Sequence, residues 1–302
     1  MSSETPASPS TEAPKGLPPV APPSGRFIVQ LFLVPGLIVL VAVLILLGFK
    51  FLVGSTRSPE EFIKNLDSSN PDVRWRAASD LAQVLQRPES LALASDPKFG
   101  LDLAVRLQAA LDDLRKEEQD LLKQTRDKES AEKQAAWETL APRRNYALYL
   151  SACLGSMTVP VGADLLCAMA KGSRGTDPEG AARRRRRAVW ALANLGENLK
   201  RFRELDTAAQ AEVIGTLTHE AAGSGKRAHW ARTALGFLRD HQPLPVVETL
   251  AECALDADPF LRELVAFALK YWDGPLVEPT LVQLAHDDGQ ERPRKPPRRR
   301  EE

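Results

Sequence analysis

The stretch Asn70–Leu85, NPDVRWRAASDLAQVL, decides the fold. Asn-Pro-Asp is a helix start: the Asn side chain caps unpaired N–H groups, Pro suits the first helical turn, and an acid there meets the positive end of the helix dipole. Ala77, Leu81 and Leu85 follow at helical intervals, so the segment over Asp72–Gln86 is a helix with one apolar face. Looser copies of that face occur at Leu150–Leu154, Ala188–Leu192, Ala231–Leu235 and Val265–Leu269. From Ala188 onward the copies are spaced by roughly 35–45 residues, the period of stacked helical pairs.

Working outward, Ser58-Pro59-Glu60-Glu61 is a second capped start, followed by a short apolar stripe of Phe62, Ile63 and Leu66. The polar turn Asp67–Pro71 joins the two segments into a helical hairpin. The resulting block, EEFIKNLDSSNPDVRWRAASDLAQVL over Glu60–Leu85, resembles a HEAT repeat: helix A, an Asp/Asn-Pro turn, then helix B carrying Val-Arg and Ala-xxx-Leu. Asp258–Leu269, DPFLRELVAFAL, matches it best, with Arg262 falling on Arg74 and Leu269 on Leu81. Ala188–Leu192 and Ala231–Leu235 keep the spacing but have a basic residue at the Val position. The resemblance runs from residue 59 to about residue 287. It implies an all-α, HEAT-like (armadillo-type) α-solenoid of about five helical hairpins, a fold whose curved surfaces serve many roles.

The remaining hairpins are placed by the same pattern. Arg143–Met157, with Tyr146, Leu150 and Leu154, is helix B of the second unit. Val161–Lys171 is helix A of the third, whose helix B begins in the run Arg183–Arg187. Thr207–Ala222 with Lys226–Arg239, and Leu244–Leu255 with Pro259–Trp272, form the fourth and fifth. Pro275–His286 covers the exposed end, as a terminal repeat must. The repeat region, 58–287, is interrupted at about 101–140. There an apolar face of Leu101, Leu103, Val105, Leu107, Leu111 and Leu114 gives way to Asp112–Lys133, in which 14 of 22 residues are charged. That composition predicts a solvated helical insertion projecting from the stack.

Outside the repeats, residues 1–26 are rich in Pro, Ser and Ala and are expected to be a disordered leader. Phe27–Phe49 carries no charge and only Gln30 as a polar side chain, within an apolar segment at 27–53. A helix of that length covers the ~30 Å hydrocarbon core, so one transmembrane helix is expected to precede the solenoid. Lys50, Arg57 and Lys64 after it, against Lys15 and Arg26 before it, place the solenoid on the cytoplasmic side of a single-pass membrane protein. Residues 288–302 are read as a disordered basic tail.

Function is narrowed mainly by exclusion. Lys plus Arg and Asp plus Glu each number 40, so no global field favours nucleic acid. Cys153, Cys167 and Cys253 form no CxxC pair and no disulfide framework. His219, His229, His241 and His286 lack metal-ligand spacing, and no phosphate-loop, nucleophile-elbow or zinc-protease motif occurs. No enzyme activity, cofactor or metal is expected. Arg183, Arg184, Arg185, Arg186 and Arg187 repel one another and oppose the dipole if they open a helix, which makes them candidates for an acidic partner. Trp75, Trp190 and Trp230 stand near helix B starts and Trp272 at a helix end. They either pack between hairpins or line an aromatic groove, with Trp190 and Trp230 taken as candidate partner contacts. Arg74 and Arg262, at the recurring position, are expected to brace repeats. The leading expectation is a membrane-anchored, non-catalytic scaffold that binds a protein partner. The alternative is an anionic-lipid or nucleic-acid binding module acting through the Arg-rich segments, with nucleic acid the weaker option. A third reading, an enzyme subunit, follows a resemblance to HEAT-like lyases of pigment attachment.

Overall fold

A computed structural model of the chain describes residue 33 and residues 35–45, 59–126, 130–172 and 178–290. The chain divides into two units, Met1–Arg57 and Ser58–Glu302. Regular structure among the described residues is entirely helical. The leader expected over residues 1–26 lies outside the described residues; of the tail expected over 288–302, residues 288–290 are the end of a helix and the rest lie outside the described residues.

In the first unit the apolar stretch enters as α1, residues 35–45. No helix among the described residues is long and apolar enough to cross a membrane. The transmembrane helix expected over Phe27–Phe49, and the single-pass, cytoplasm-facing membrane location built on it, are therefore corrected.

The second unit begins with α2 (Pro59–Leu66) and α3 (Pro71–Leu85), followed by a 3-10 turn at Pro88–Ser90 and the short α4 (Leu91–Ala94). Then come α5 (Pro97–Gln124), α6 (Ser130–Glu138), α7 (Ala141–Gly155), α8 (Ala163–Lys171) and α9 (Pro178–Phe202). The chain continues through α10 (Thr207–Ala221), α11 (Gly225–Asp240), α12 (Val246–Ala254), α13 (Pro259–Leu269) and α14 (Val277–Gln290). Among the described residues, Asn or Asp caps a helix that begins with Pro in three cases. Asn70 Oδ1 accepts the Asp72 N–H at 2.9 Å, Asp96 Oδ1 the Lys98 N–H at 2.9 Å, and Asp258 Oδ1 the Phe260 N–H at 3.1 Å. Each cap satisfies a donor that the helix leaves unpaired, while Pro lacks the N–H that would otherwise need a partner.

Helices α3, α7, α9 and α13 pack side by side in one row. Each is backed by a partner: α2 on α3, α5 on α7, α8 on α9 and α12 on α13, with α8 also touching α12. Helix α14 packs on α12 and α13. This stacking of helix pairs is consistent with an α-solenoid. Between the layers lie the residues that set the repeat pattern: Leu81, Leu85, Leu150, Leu154, Ala188, Leu192, Val265 and Leu269, all buried. Each buried Leu removes enough apolar surface to stabilise the fold by about 1.5–3 kcal/mol.

Two arrangements differ from the sequence pattern. The α10–α11 hairpin does not stand between α9 and α13, which touch directly, but packs on α5 and α8. Polar groups hold it there. Arg227 donates to Asp102 of α5 and, through Nε, to Glu220 Oε2 at 2.7 Å. His229 Nε2 lies 3.0 Å from Asp164 Oδ2 of α8, and Thr233 Oγ1 donates to the same oxygen at 3.1 Å. The single stack of five hairpins thus becomes four stacked pairs with one hairpin laid over the second layer. The span 101–140 is also built in for much of its length: Leu101, Leu103, Leu107 and Leu114 of α5 are buried, the first three in the same core as α7.

Candidate functional site

The arginine run does not open its helix. Helix α9 starts at Pro178 with Glu179 in its first turn, so Arg183 is already beyond the first turn, where the dipole penalty has faded. The five side chains also diverge. Arg184 grips Glu118 of α5 with both terminal nitrogens, at 2.7 Å and 3.3 Å, and Arg144 Nε approaches the same carboxylate at 3.5 Å. Arg185 donates to the Ala170 carbonyl at 2.9 Å and pairs with Asp256 at 2.7 Å, which ties α9 to the end of α8 and to the α12–α13 turn. Arg186 Nε donates to Asp258 at 2.7 Å, the same carboxylate that caps α13. Arg183 is 65 % exposed and reaches only Glu179, at 3.7 Å. Arg187 meets a carbonyl (Leu148, 3.4 Å) and the Tyr149 ring, 5.6 Å from its centroid. Three of the five therefore brace neighbouring helices through carboxylates, and two face the row's outer surface.

That surface carries a band of aromatic rings and cations across all four row helices. Trp190 of α9 is 38 % exposed and stacks on Phe267 of α13, with centroids 5.4 Å apart and planes 10° from parallel. Phe267 meets Tyr271 edge-on at 5.4 Å, and Lys200 and Lys270 place their Nζ atoms 5.9 Å and 5.5 Å from the Tyr271 ring. On the other side Tyr149 of α7 stacks on Trp75 of α3 at 6.1 Å, with Arg76 over Trp75 at 5.6 Å. Arg186 also covers Phe260, at 5.2 Å. Between the two aromatic groups lies a depression of about 430 Å³, walled by Tyr149, Trp190 and Leu264 and edged by Arg183, Arg186 and Arg187. No carboxylate lines it. Stacked rings and guanidiniums over ring faces attract one another through the ring quadrupole, so the band is held in shape before any partner arrives.

The other expected residues lie elsewhere. Trp230 is only 5 % exposed, within the core of α11, and cannot reach a partner. Trp272 is buried and donates its Nε1–H to the Leu192 carbonyl at 3.0 Å, tying α13 to α9. Arg74 lies over Tyr146 of the next row helix, 5.0 Å from its centroid, while Arg262 donates to the Asp256 carbonyl at 2.9 Å within its own hairpin. Tyr146 in turn donates to the Leu66 carbonyl at 3.1 Å, and burial pushes its phenol up to about 12. A second cavity, about 390 Å³ between α5, α8 and α9, is lined in part by Glu118 and Arg184, each other's ion-pair partners. The three thiols are free and buried; burial pushes Cys153 up strongly and Cys167 up to about 12. Among the described residues no group of three or more His, Cys, Asp or Glu side chains is placed to hold a metal ion.

Tyr149, Phe267 and Tyr271 are the band members that attention to tryptophan overlooked. A signal for one of them was present: Trp190 follows Ala188 by two residues, and Phe267 follows Val265 by two, so both occupy one register of the repeat. No known protein-family model matches the chain, and no curated protein matches it.

Proposed function

We propose that the chain is a non-catalytic protein-interaction scaffold, a HEAT-like α-solenoid that receives its partner on the outer surface of α3, α7, α9 and α13. The observation that carries this reading is the exposed Trp190, stacked on Phe267 beside a depression with three arginines at its edge. Trp, Tyr and Arg dominate the energetics of protein interfaces when they sit in or around a pocket that a partner can dry. An aromatic left half in water gains by being covered, and here the ring is already held, so little side-chain freedom is lost on binding. The resemblance to HEAT repeats agrees, since such stacks offer a long surface made of one helix from each pair. Against the anionic-lipid or nucleic-acid reading, Arg184, Arg185 and Arg186 are already engaged by Glu118, Asp256 and Asp258.

The experiment is site-specific photocrosslinking in cells. A photoreactive residue at Asn145, which lines the depression, is expected to capture a discrete protein that disappears with Trp190→Ala. The same probe at Gly215 of α10, which has open space around it, should not capture that protein. Identical products from both positions, or products indifferent to Trp190→Ala, overturn the reading.

A further inference from the structure

We infer that the segment received on this surface is an extended acidic peptide of about eight or nine residues, with an apolar side chain entering the depression beside Trp190. The inference rests on the scaffold reading and adds the partner's chemistry. Length follows from the width of the band. Four row helices are separated by three spacings of ~8–10 Å, about 27 Å in all. An extended chain advances ~3.3 Å per residue, so about eight residues cross it.

Charge follows from the guanidiniums. Around the depression stand Arg183, Arg186 and Arg187, and no carboxylate lines it. Arg186 is committed to Asp258, and the Asp72 carboxylate accepts from the Trp75 indole. Arg187 spends one donor on a carbonyl and turns its plane to Tyr149. Arg183 has only an i,i+4 contact at 3.7 Å, of the exposed kind that adds little. A guanidinium has five N–H donors in a fork that fits a carboxylate with two parallel bonds. Two carboxylates on the incoming segment would therefore find Arg183 and Arg187 held near the ring wall. The apolar share of the segment is set by Trp190, Tyr149 and Leu264, which make a dry wall rather than a second ionic site. A nucleic-acid strand is disfavoured by the same cations. Its affinity grows with the number of phosphates neutralised, commonly about six to ten, and the depression offers two or three cations within a chain of balanced charge.

The test uses the full chain on an array of nonapeptides of random composition, followed by fluorescence anisotropy with the strongest binder. The bound set is expected to be enriched in Asp and Glu together with an aromatic or branched apolar residue. Replacing the acids by amides, the double variant R183Q/R187Q, and Trp190→Ala should each weaken binding about tenfold or more, with circular dichroism unchanged. Raising salt from roughly 50 to 500 mM should weaken it further, because exposed charges are screened. A neutral or basic bound set, or an empty array, overturns the inference. So does tighter binding of a nine-nucleotide oligothymidylate, or of phosphatidylserine vesicles, with the same arginine dependence. If the array result is negative but the Asn145 crosslink persists and still needs Trp190, the acidic peptide is wrong and the scaffold stands. If the crosslink is lost as well, both fall.

Discussion

Gly155→Ala tests how closely the central row helices pack. Gly155 closes α7, and a Cβ built on it would lie 2.6 Å from the Ala191 carbonyl oxygen, 2.8 Å from Ala191 Cα and 3.0 Å from its Cβ. These are mostly backbone atoms of α9, so no side-chain rotation relieves the overlap. Carbon atoms prefer separations of about 3.5–4.0 Å, so α9 must retreat by nearly 1 Å at this point. The Asn198 amide, which donates to the Gly155 carbonyl at 3.2 Å, and Arg187, which reaches back to Leu148, would be stretched by the same movement. Overpacking of this kind costs about 1–3 kcal/mol, and backbone overlap belongs at the upper end. Alanine's intrinsic advantage in a helix returns up to about 1 kcal/mol, leaving a net loss of about 1–2 kcal/mol. For a unit of this size the melting temperature should fall by about 2–8 °C. Gly215→Ala is the control: it lies inside α10 with nothing within 4 Å of the added carbon, and should stabilise by up to about 1 kcal/mol. Urea unfolding followed by far-ultraviolet circular dichroism measures both. If Gly155→Ala stabilises as Gly215→Ala does, α7 and α9 are not in backbone contact and the row is wrongly drawn.

Three further outcomes are expected. Glu118→Gln should cost about 3 kcal/mol, because it strands the largely buried Arg184 and Arg144, whereas Arg183→Gln should stay within about 0.5 kcal/mol; equal effects in chemical denaturation would refute the division of the arginine run. Arg227 holds the Glu220 carboxyl below its ordinary value of 4.5, and Arg106 does the same for Asp67. Their stabilisation is complete above the ordinary carboxylate range and is lost as pH falls through the lower folded values, so Glu220→Gln should flatten the acid limb of a melting-temperature profile between roughly pH 5 and 3. An unchanged limb would exclude the pair. Because Cys153, Cys167 and Cys253 are buried with raised thiol pKa values, a chromogenic disulfide reagent at pH 8 should label none of them until denaturant is added; rapid native labelling would contradict the packing of α7, α8 and α12.

Much of the helical order was legible because it rests on local chemistry. Asn70-Pro71 and Asp258-Pro259 announced α3 and α13, and both Asx side chains do accept from the second helical N–H. Asp96-Pro97 has the same signature and starts α5, although the charged run beyond it suggested an insertion. The burial of its charged part was hidden because Glu118 is made tolerable only by Arg184 and Arg144, which lie 66 and 26 residues away in the chain. The arginine run misled for a related reason: repulsion among neighbours is visible in sequence, while the carboxylates on α5 and in the α12–α13 turn that divide them are not. The apolar stretch at Phe27–Phe49 misled differently. Hydropathy and length measure the capacity of a continuous helix, whereas no helix among the described residues is long and apolar enough to cross a membrane.

The placement of the α10–α11 hairpin explains why the outer surface of the row is the one left for binding. An Ala-xxx-Leu stripe such as Ala231–Leu235 states that one side of a helix is buried without naming the neighbour. In α11 that neighbour is chosen by Arg227 toward Asp102 and by His229 and Thr233 toward Asp164, all three on the second layer. The row position it leaves is closed by Trp272 lying against Gly196, where a Cβ would come within 2.7 Å of the indole nitrogen. Helix α9 is consequently enclosed by α7, α8 and α13, with Ala188, Val189, Ala191, Leu192, Ala193 and Leu195 all buried. The same displacement that buries α9 so fully brings α13 beside it and thereby stacks Phe267 on Trp190. Had α11 occupied the row between them, those two rings would stand two helix spacings apart, about 18 Å, and no continuous aromatic surface would exist. The irregular hairpin is thus the structural cause of the candidate site.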